Sequence, residues 1–160
     1  MKLIPEANAT REELEAYIGI KAKSPFFTKV LDKYMKNPNK PTWCWPAFFP
    51  NMFWLCYRKT LTPSILLMVV FFTANLIIPV QFSSIFIIAV FLLMGLFGTN
   101  IYLMTAEKEI SRIKETHIMY GKKKMLEAIA LRGGTSLNYA LMFYVVQVIL
   151  YTVVFGVGTK

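Results

Sequence analysis

The pattern of polar and apolar positions divides the chain into a mixed N-terminal part, a long uncharged stretch, a second charged part and a final apolar run. No charged side chain occurs from Thr60 to Ala106, and most of this stretch is Leu, Ile, Val, Phe and Met. A helix of this composition has no water-facing side, whereas a bilayer helix needs about 20 consecutive apolar residues. The pattern therefore predicts an all-α integral membrane protein.

The uncharged stretch is long enough for two membrane spans and is interrupted near its middle. Residues 78–84 contain Pro79, which lacks a backbone donor, and two serines that can cap a new helix. We therefore expect a transmembrane helical hairpin over residues 60–104. Its spans run from about 62–78 and from about 84–104, and a very short turn joins them.

A second apolar run, residues 137–155, is long enough to cross a bilayer once. It predicts a third transmembrane helix within the segment 136–160, followed by a short tail. None of the three spans contains an acidic or basic residue or a histidine. Proton relays and ion-coupled transporters usually need such a residue, so the pattern disfavours these functions.

The charged N-terminal segment, residues 1–41, predicts amphipathic helices. Thr10 begins a capping-box pattern and Gly19 is a suitable helix end. Ser24 followed by proline begins a second helix, which carries one apolar stripe on a cationic surface. This helix either lies on lipid headgroups or packs on the second charged part. The stripe consists of Phe27, Val30, Leu31 and Tyr34.

An aromatic segment, residues 42–59, lies between the N-terminal helices and the hairpin. Aromatic rings and basic side chains both favour the headgroup level of a membrane. The charge-free part, residues 41–57, is short for a span and contains prolines. We expect an interfacial or shallow re-entrant element, with a fourth span as the alternative. The residues predicted to lie at the membrane interface are Trp43, Trp45, Trp54, Tyr57, Arg58 and Lys59.

The second charged segment, residues 105–135, predicts a basic helix that Gly121 divides in two. The chain has a net charge of +9, and all of its Lys and Arg except Lys160 lie in this segment or in residues 1–59. Because basic residues stay on the cytoplasmic side, both parts are expected in the cytoplasm, and the turn at Pro79 and the C-terminus outside. Anionic lipid headgroups account for the basic residues, and no nucleic-acid partner is expected.

Candidate catalytic and metal-binding chemistry is sparse. Cys44 and Cys56 are expected to be buried free thiols near the cytoplasmic face, where disulfides are rare. Together with the single His117 they are too few for a metal site. Because no triad or paired carboxylate is apparent, we expect no enzymatic activity and no cofactor.

The polar residues of the spans are the remaining candidates. Asn75 and Asn100 either fix the hairpin through an interhelical hydrogen bond or line a path for a polar substrate or ion. Gln147 in the third span would join such a path in a channel assembled from several copies.

Several blocks of the chain together resemble a known family. The blocks are Glu-Ala-Tyr-Ile-Gly at 15–19, Pro-Phe-Phe at 25–27, Trp-Cys-Trp-Pro-Ala-Phe-Phe at 43–49, Trp-Leu-Cys-Tyr-Arg-Lys at 54–59 and Arg-Gly-Gly-Thr-Ser at 132–136. Over about residues 12–140 the chain is similar to the bacterial inner-membrane family known as domain of unknown function 2628. It departs from the usual motif at Cys44 and Pro46. The resemblance implies a small multi-span protein of the cytoplasmic membrane, and it implies no activity.

The sequence thus predicts a non-enzymatic membrane protein that acts through association. It would be an accessory or regulatory subunit of a larger membrane complex, or an oligomer of itself. Three spans offer little internal area for helix packing, while the aromatic segment and cationic helices offer surfaces for lipid and protein partners. The alternative is a small oligomeric transporter or channel.

Overall fold

The computed structural model describes residues 9–49, 51–117 and 121–156, without the side chains of His117 and Phe155. Within these ranges the chain is helical and contains no strand. The predicted tail after residue 156 lies outside the described part. The α-helices are α1 Arg11–Ile18, α2 Pro25–Lys36, α3 Trp45–Phe48, α4 Asn51–Tyr57, α5 Leu61–Ile77, α6 Val80–His117, α7 Gly121–Arg132 and α8 Leu137–Phe155. A 3₁₀ helix, Gly19–Lys23, joins α1 to α2.

The N-terminal helices begin and end where the sequence predicts. The Thr10 hydroxyl accepts from the Glu13 amide at 3.4 Å, and the Glu13 carboxylate accepts from the Thr10 amide at 2.7 Å. This reciprocal capping box opens α1, and Gly19 closes it with a φ of 76°. Ser24 caps α2 by accepting from the Phe27 amide at 3.4 Å. The predicted caps are therefore confirmed.

The apolar stripe of α2 packs on protein. All four of its side chains are buried in the same cluster as residues of α6. The Phe27 ring lies 6.4 Å from that of Tyr102, and the Tyr34 hydroxyl donates to the Glu107 carboxylate at 3.1 Å. The structure therefore shows α2 packed on the charged half of α6, which is the second of the two arrangements predicted for this helix.

Ion pairs hold α1 to α6 and α7. The Lys114 ammonium lies 2.8 Å from the Glu13 carboxylate, and the Lys122 ammonium lies 2.6 Å from that of Glu12. Burial raises the pKa of the Glu13 carboxyl, but Lys114 and the hydrogen bonds of Thr10 outweigh burial and hold this pKa below its ordinary value. The charged helices therefore form one polar end of the molecule.

The diglycine after α7 allows a close backbone contact with α1. A Cβ at Gly133 would lie 2.1 Å from the Tyr17 carbonyl oxygen, so only glycine fits there. The Gly134 amide donates to the same oxygen at 2.7 Å, and its φ of 78° also favours glycine. The predicted helix end is confirmed. Ser136 occupies the N-cap position of α8 but makes no side-chain capping hydrogen bond.

Two helices of the described chain are long and apolar enough to cross a membrane. One is α6, and the other lies in the stretch Gly121–Val154, which includes the apolar helix α8. In the most apolar window of each stretch, 17% of the residues in α6 and 6% of those in Gly121–Val154 are buried. These helices therefore do not form a soluble core. The remaining apolar helix, α5, has 17 residues, and its length does not by itself establish the predicted further span.

The hairpin turn is tighter than predicted. Helix α5 ends at Ile77 and α6 already begins at Val80, so the serines at 83 and 84 lie inside α6 instead of capping it. Helix α6 then continues without a break to His117. The predicted segment boundary at 104/105 therefore falls within one helix, and α6 joins the apolar and polar ends of the molecule.

Helix α4 lies at the centre of the apolar part. Helices α3, α5, α6 and α8 all pack against it, and α5 contacts α4 more extensively than it contacts α6. A small cluster joins α4 to α5 and α8 through Met52, Cys56, Met68 and Phe143. The aromatic segment thus lies between the apolar helices, where the sequence predicted an interfacial or shallow element.

Two glycines of α6 let the aromatic segment approach. A Cβ at Gly98 would lie 2.7 Å from the Ala47 Cβ, and one at Gly95 would lie 2.8 Å from the Trp43 ring. Further along α6, the Phe48 and Phe91 rings are 5.9 Å apart. The segment therefore runs beside α6 from Tyr102 to Phe91, roughly 16 Å at 1.5 Å per residue.

Backbone hydrogen bonds complete this contact. The Thr42 amide donates to the Leu96 carbonyl at 3.2 Å, and the Cys44 amide donates to the Gly95 carbonyl at 2.8 Å. The Thr99 hydroxyl donates to the Thr42 carbonyl at 3.2 Å. An irregular backbone inside apolar surroundings needs such partners, because an unpaired amide or carbonyl there costs several kcal/mol.

A side chain at Gly98 should separate α3 from α6. We expect Gly98→Leu to lower the free energy of unfolding by about 1–3 kcal/mol, the usual cost of overpacking. Thermal unfolding in detergent can be followed with a thiol-reactive fluorophore, because Cys44 and Cys56 are buried. The control Ala89→Leu, on an exposed side of the same helix, should leave the Tm unchanged. An unchanged Tm for Gly98→Leu would contradict the close contact.

Candidate functional site

The predicted interface residues differ in their exposure. Trp45 is 62% exposed, as a surface ring should be, whereas Trp54 is 6% and Arg58 3% exposed. Trp43 is half-buried beside Gly95. Trp54 and Arg58 are therefore enclosed by protein, because the segment folds inward against α6, and their place at the membrane interface stays a prediction.

Arg58 lies in a cage of aromatic rings. Its guanidinium carbon is 4.6 Å from the centre of the Phe27 ring, 5.4 Å from that of Tyr102 and 5.9 Å from that of Trp54. Among the described residues, its Nε and Nη1 atoms have no hydrogen-bond partner. A carboxylate usually neutralises a buried cation, whereas here the faces of three aromatic rings attract the guanidinium. The cage ties α2, α4 and α6 together.

The end of the aromatic segment joins the start of α8. The Ser136 amide donates to the Tyr57 carbonyl at 2.8 Å, and the Lys59 ammonium donates to the Leu131 carbonyl at 3.3 Å. Lys59 has a φ of 58°, a conformation that glycine adopts more easily. Tyr57 and Lys59 thus form a junction between α4, α7 and α8.

The two asparagines of the predicted hairpin do not bond each other. The Asn100 amide donates to the Pro38 carbonyl at 2.5 Å and to the Lys40 carbonyl at 3.2 Å. The Asn75 amide donates to the Phe71 carbonyl of its own helix at 2.8 Å. Neither side-chain amide therefore donates the interhelical hydrogen bond that was expected to fix the hairpin. Asn100 instead holds the irregular backbone before the aromatic segment.

Asn75 and Gln147 meet at one groove between α4, α5, α6 and α8, which we call the amide groove. It has a volume of about 290 Å³. Asn51 also lines the groove and was not predicted as a site residue. The sequence sign that could have pointed to it was a polar residue directly after a proline within an apolar run. The other lining residues are apolar or aromatic: Phe49, Met52, Phe53, Phe71, Phe72, Ile87, Phe91 and Tyr151.

The amide groove contains an unsatisfied acceptor. The side-chain oxygen of Gln147 is buried and has no hydrogen-bond partner in the described part of the chain. No carboxylate, lysine or arginine is among the lining residues. The groove can therefore hold a largely apolar group that carries one hydrogen-bond donor, while its lining supplies no charged group for acid–base chemistry.

The architecture defines a class: an all-helical chain with two helices able to cross a membrane and an aromatic segment packed between its apolar helices. Comparison with known families then identifies the family. The family described as "protein of unknown function (DUF2628)" matches residues 14–108, more than half of the chain, and the chain belongs to it. The match runs from α1 into the charged part of α6 and includes the whole aromatic segment. No curated protein and no solved structure matches the chain.

Arg58 offers a test of the aromatic cage. We expect Arg58→Lys to lower the Tm more than Arg58→Met, because a lysine ammonium is strongly hydrated and cannot stack on three rings. Methionine keeps apolar volume and removes the desolvation cost of a buried charge. The measurement is thermal unfolding of both variants in the same detergent. A Lys variant as stable as the wild type, beside an unfolded Met variant, would contradict the role of stacking.

Proposed function

We propose that this protein is a small, non-enzymatic integral membrane protein that acts by associating with other membrane proteins. It serves as an accessory or regulatory subunit of a larger complex, or assembles with copies of itself. The exposed apolar surface of α5, α6 and α8 supports this proposal, because soluble monomers rarely expose contiguous patches above a few hundred Å².

The proposed location is the bacterial cytoplasmic membrane. The N-terminus and the polar end face the cytoplasm, α5 supplies a third span, and the C-terminus lies outside. The support is the charge distribution: the basic residues of α1, α2, α7 and the second half of α6 gather at one end, beside anionic headgroups. In this arrangement α3 and α4 enter and leave the membrane on the cytoplasmic side as a re-entrant element.

The observation that carries the association proposal is the unpaired oxygen of Gln147 in the amide groove. A buried polar atom without a partner costs about 1–3 kcal/mol. Hydrocarbon chains of lipids offer no donor, so lipid filling the groove would leave this cost in place. A transmembrane helix with a hydroxyl or amide side chain removes it, and such bonds join helices within membranes.

The shape of the surroundings fits the same occupant. Along α8, Phe143 is the one described side chain below 9% exposure, while Leu141, Met142 and Val145 are more than half exposed. Helix α8 therefore packs on α4 along a narrow side. A partner helix in the groove would contact α8 and the ends of α5 and α6 at once.

The alternative is a small oligomeric transporter or channel. It is favoured by the meeting of Asn75 and Gln147 in one groove. It is disfavoured by Asn100, whose amide is occupied by the carbonyls of Pro38 and Lys40. A transport path through the protein would therefore have to be lined by the amide groove without Asn100.

Gln147 provides the test of association. We expect Gln147→Leu to weaken association by about 1–2 kcal/mol, the strength of an interhelical hydrogen bond in model peptides. Two differently tagged copies are co-expressed and cross-linked in the membrane, and purification in mild detergent with mass spectrometry detects other partners. The control Gln81→Leu makes the same chemical change at an exposed position. Unchanged cross-linking and partner recovery for Gln147→Leu would refute the proposed contact.

Cysteine labelling tests the proposed topology. In a chain with Cys44→Ala and Cys56→Ala, we expect Ser84→Cys to react with an impermeant thiol reagent added to intact cells. We expect Lys36→Cys to react only after the membrane is permeabilised, because the positive-inside rule places α2 in the cytoplasm. The reverse order of labelling would show that the orientation is inverted.

A further inference from the structure

A second, polar pocket lies at the other end of the apolar helices, which we call the junction pocket. It has a volume of about 130 Å³ and lies where α5 and α8 begin. Its lining includes two basic side chains, one carboxylate and several hydroxyl groups. The residues that bear on the ligand are Tyr17, Lys59, Thr60, Thr105, Glu109 and Arg132.

Tyr17 is a buried aromatic residue whose side chain lines the junction pocket. The residue as a whole is 1% exposed. Burial, and then the charge of Glu109, raise the pKa of Tyr17 to about 12. The hydroxyl is therefore protonated at neutral pH and available as a donor. An acceptor bound in the pocket would receive a hydrogen bond from this hydroxyl.

Lys59 occupies a position where the backbone favours glycine. The Thr60 amide donates to the Leu55 carbonyl at 3.0 Å and the Lys59 amide donates to the Cys56 carbonyl at 2.8 Å. These two bonds form a Schellman motif that ends α4, and glycine is the usual residue at its left-handed position. Lys59 adopts the left-handed backbone conformation, which is strained for a residue other than glycine, and its ammonium lines the pocket.

The remaining charges leave the junction pocket net positive. The Arg132 Nε atom lies 2.9 Å from the Glu109 carboxylate, while its terminal nitrogens make no hydrogen bond in the part of the chain that the structure describes. The pocket lining thus has two positive charges, Lys59 and Arg132, and one negative charge, Glu109. The start of α5 adds amide donors, because Thr60 makes no side-chain capping bond to them.

The depth of the junction pocket favours a ligand with an apolar body. Three parts of the chain change from charged to apolar at this pocket: Lys59 precedes α5, Thr105 precedes the first charge of α6, and Arg132 precedes α8. In a membrane-embedded chain this is the level of lipid phosphates. Leu61 and Leu137, at the starts of the two helices, are 40% and 63% exposed and offer apolar surface beside the pocket.

We infer that the junction pocket binds the phosphate group of a phospholipid, with Lys59, Arg132 and the Tyr17 hydroxyl as donors. The inference rests on the proposed membrane location. It does not rest on association through the amide groove, which lies roughly 15 Å further along α5 at 1.5 Å per residue. A failure of one site therefore leaves the other unaffected.

The test uses the full chain purified in detergent and three probes. Dioctanoyl phosphatidylglycerol carries both the phosphate and acyl chains, dioctanoylglycerol lacks the phosphate, and inorganic phosphate lacks the chains. We expect only the phospholipid to raise the Tm and to show saturable binding. Equal shifts with dioctanoylglycerol would overturn the phosphate site. Binding of inorganic phosphate as tight as that of the lipid would overturn the lipid source.

Variants then assign the binding to the pocket. Lys59→Gly suits the left-handed backbone, so it should fold at least as well as the wild type while it loses the ammonium. We expect Lys59→Gly and Tyr17→Phe each to weaken phosphatidylglycerol binding about tenfold, the scale of one charge-assisted hydrogen bond. The matched control Lys36→Gln removes an exposed charge of α2 and should bind as the wild type does.

Glu109 distinguishes a phosphate from a cationic ligand. Because its carboxylate repels a phosphate, we expect Glu109→Gln to tighten phosphatidylglycerol binding. Weaker binding in this variant would show that the carboxylate attracts the headgroup, and would overturn the inference. Wild-type affinity in both Lys59→Gly and Tyr17→Phe would overturn it as well.

Discussion

The structure depends on the contact between one face of α6 and the backbone that enters the aromatic segment. Gly95 and Gly98 remove the side chains that would keep α3 away, while Thr99 and Asn100 supply donors to carbonyls of that backbone. Two carbonyls of α6 accept amides in return. Because this face satisfies irregular backbone within an apolar environment, α4 can lie at the centre and the apolar helices can pack around it.

Arg58 and its ring cage connect that apolar centre to the polar end. The cage takes one ring from α2, one from α4 and one from α6, so the charged helices and the aromatic segment share a single cluster. Because no carboxylate in the described chain neutralises this buried cation, the aromatic rings around it supply its stabilisation. The position of α2 and that of α4 are therefore coupled through one side chain.

Two polar features lie at opposite ends of the apolar helices. The amide groove has an unpaired acceptor within apolar walls, and the junction pocket has a tyrosine hydroxyl beside two basic side chains. An acceptor among apolar surfaces suits a helix that carries a donor, whereas donors beside cations suit an anion. Membership in a family of unknown function gives neither feature an assignment, so the chemistry of each has to come from its own residues.

The sequence by itself determined the helical class, the caps at Thr10, Ser24 and Gly19, and the division into apolar and charged parts, because these depend on local spacing and composition. Only the tertiary structure decided that the aromatic segment lies between helices, that Arg58 is buried and that Asn75 meets Gln147. These facts depend on contacts between residues distant along the chain, and an Arg-Lys pair or a lone asparagine carries no local sign of its partner. The glycines of α6 were visible in the sequence, but what approaches them was not.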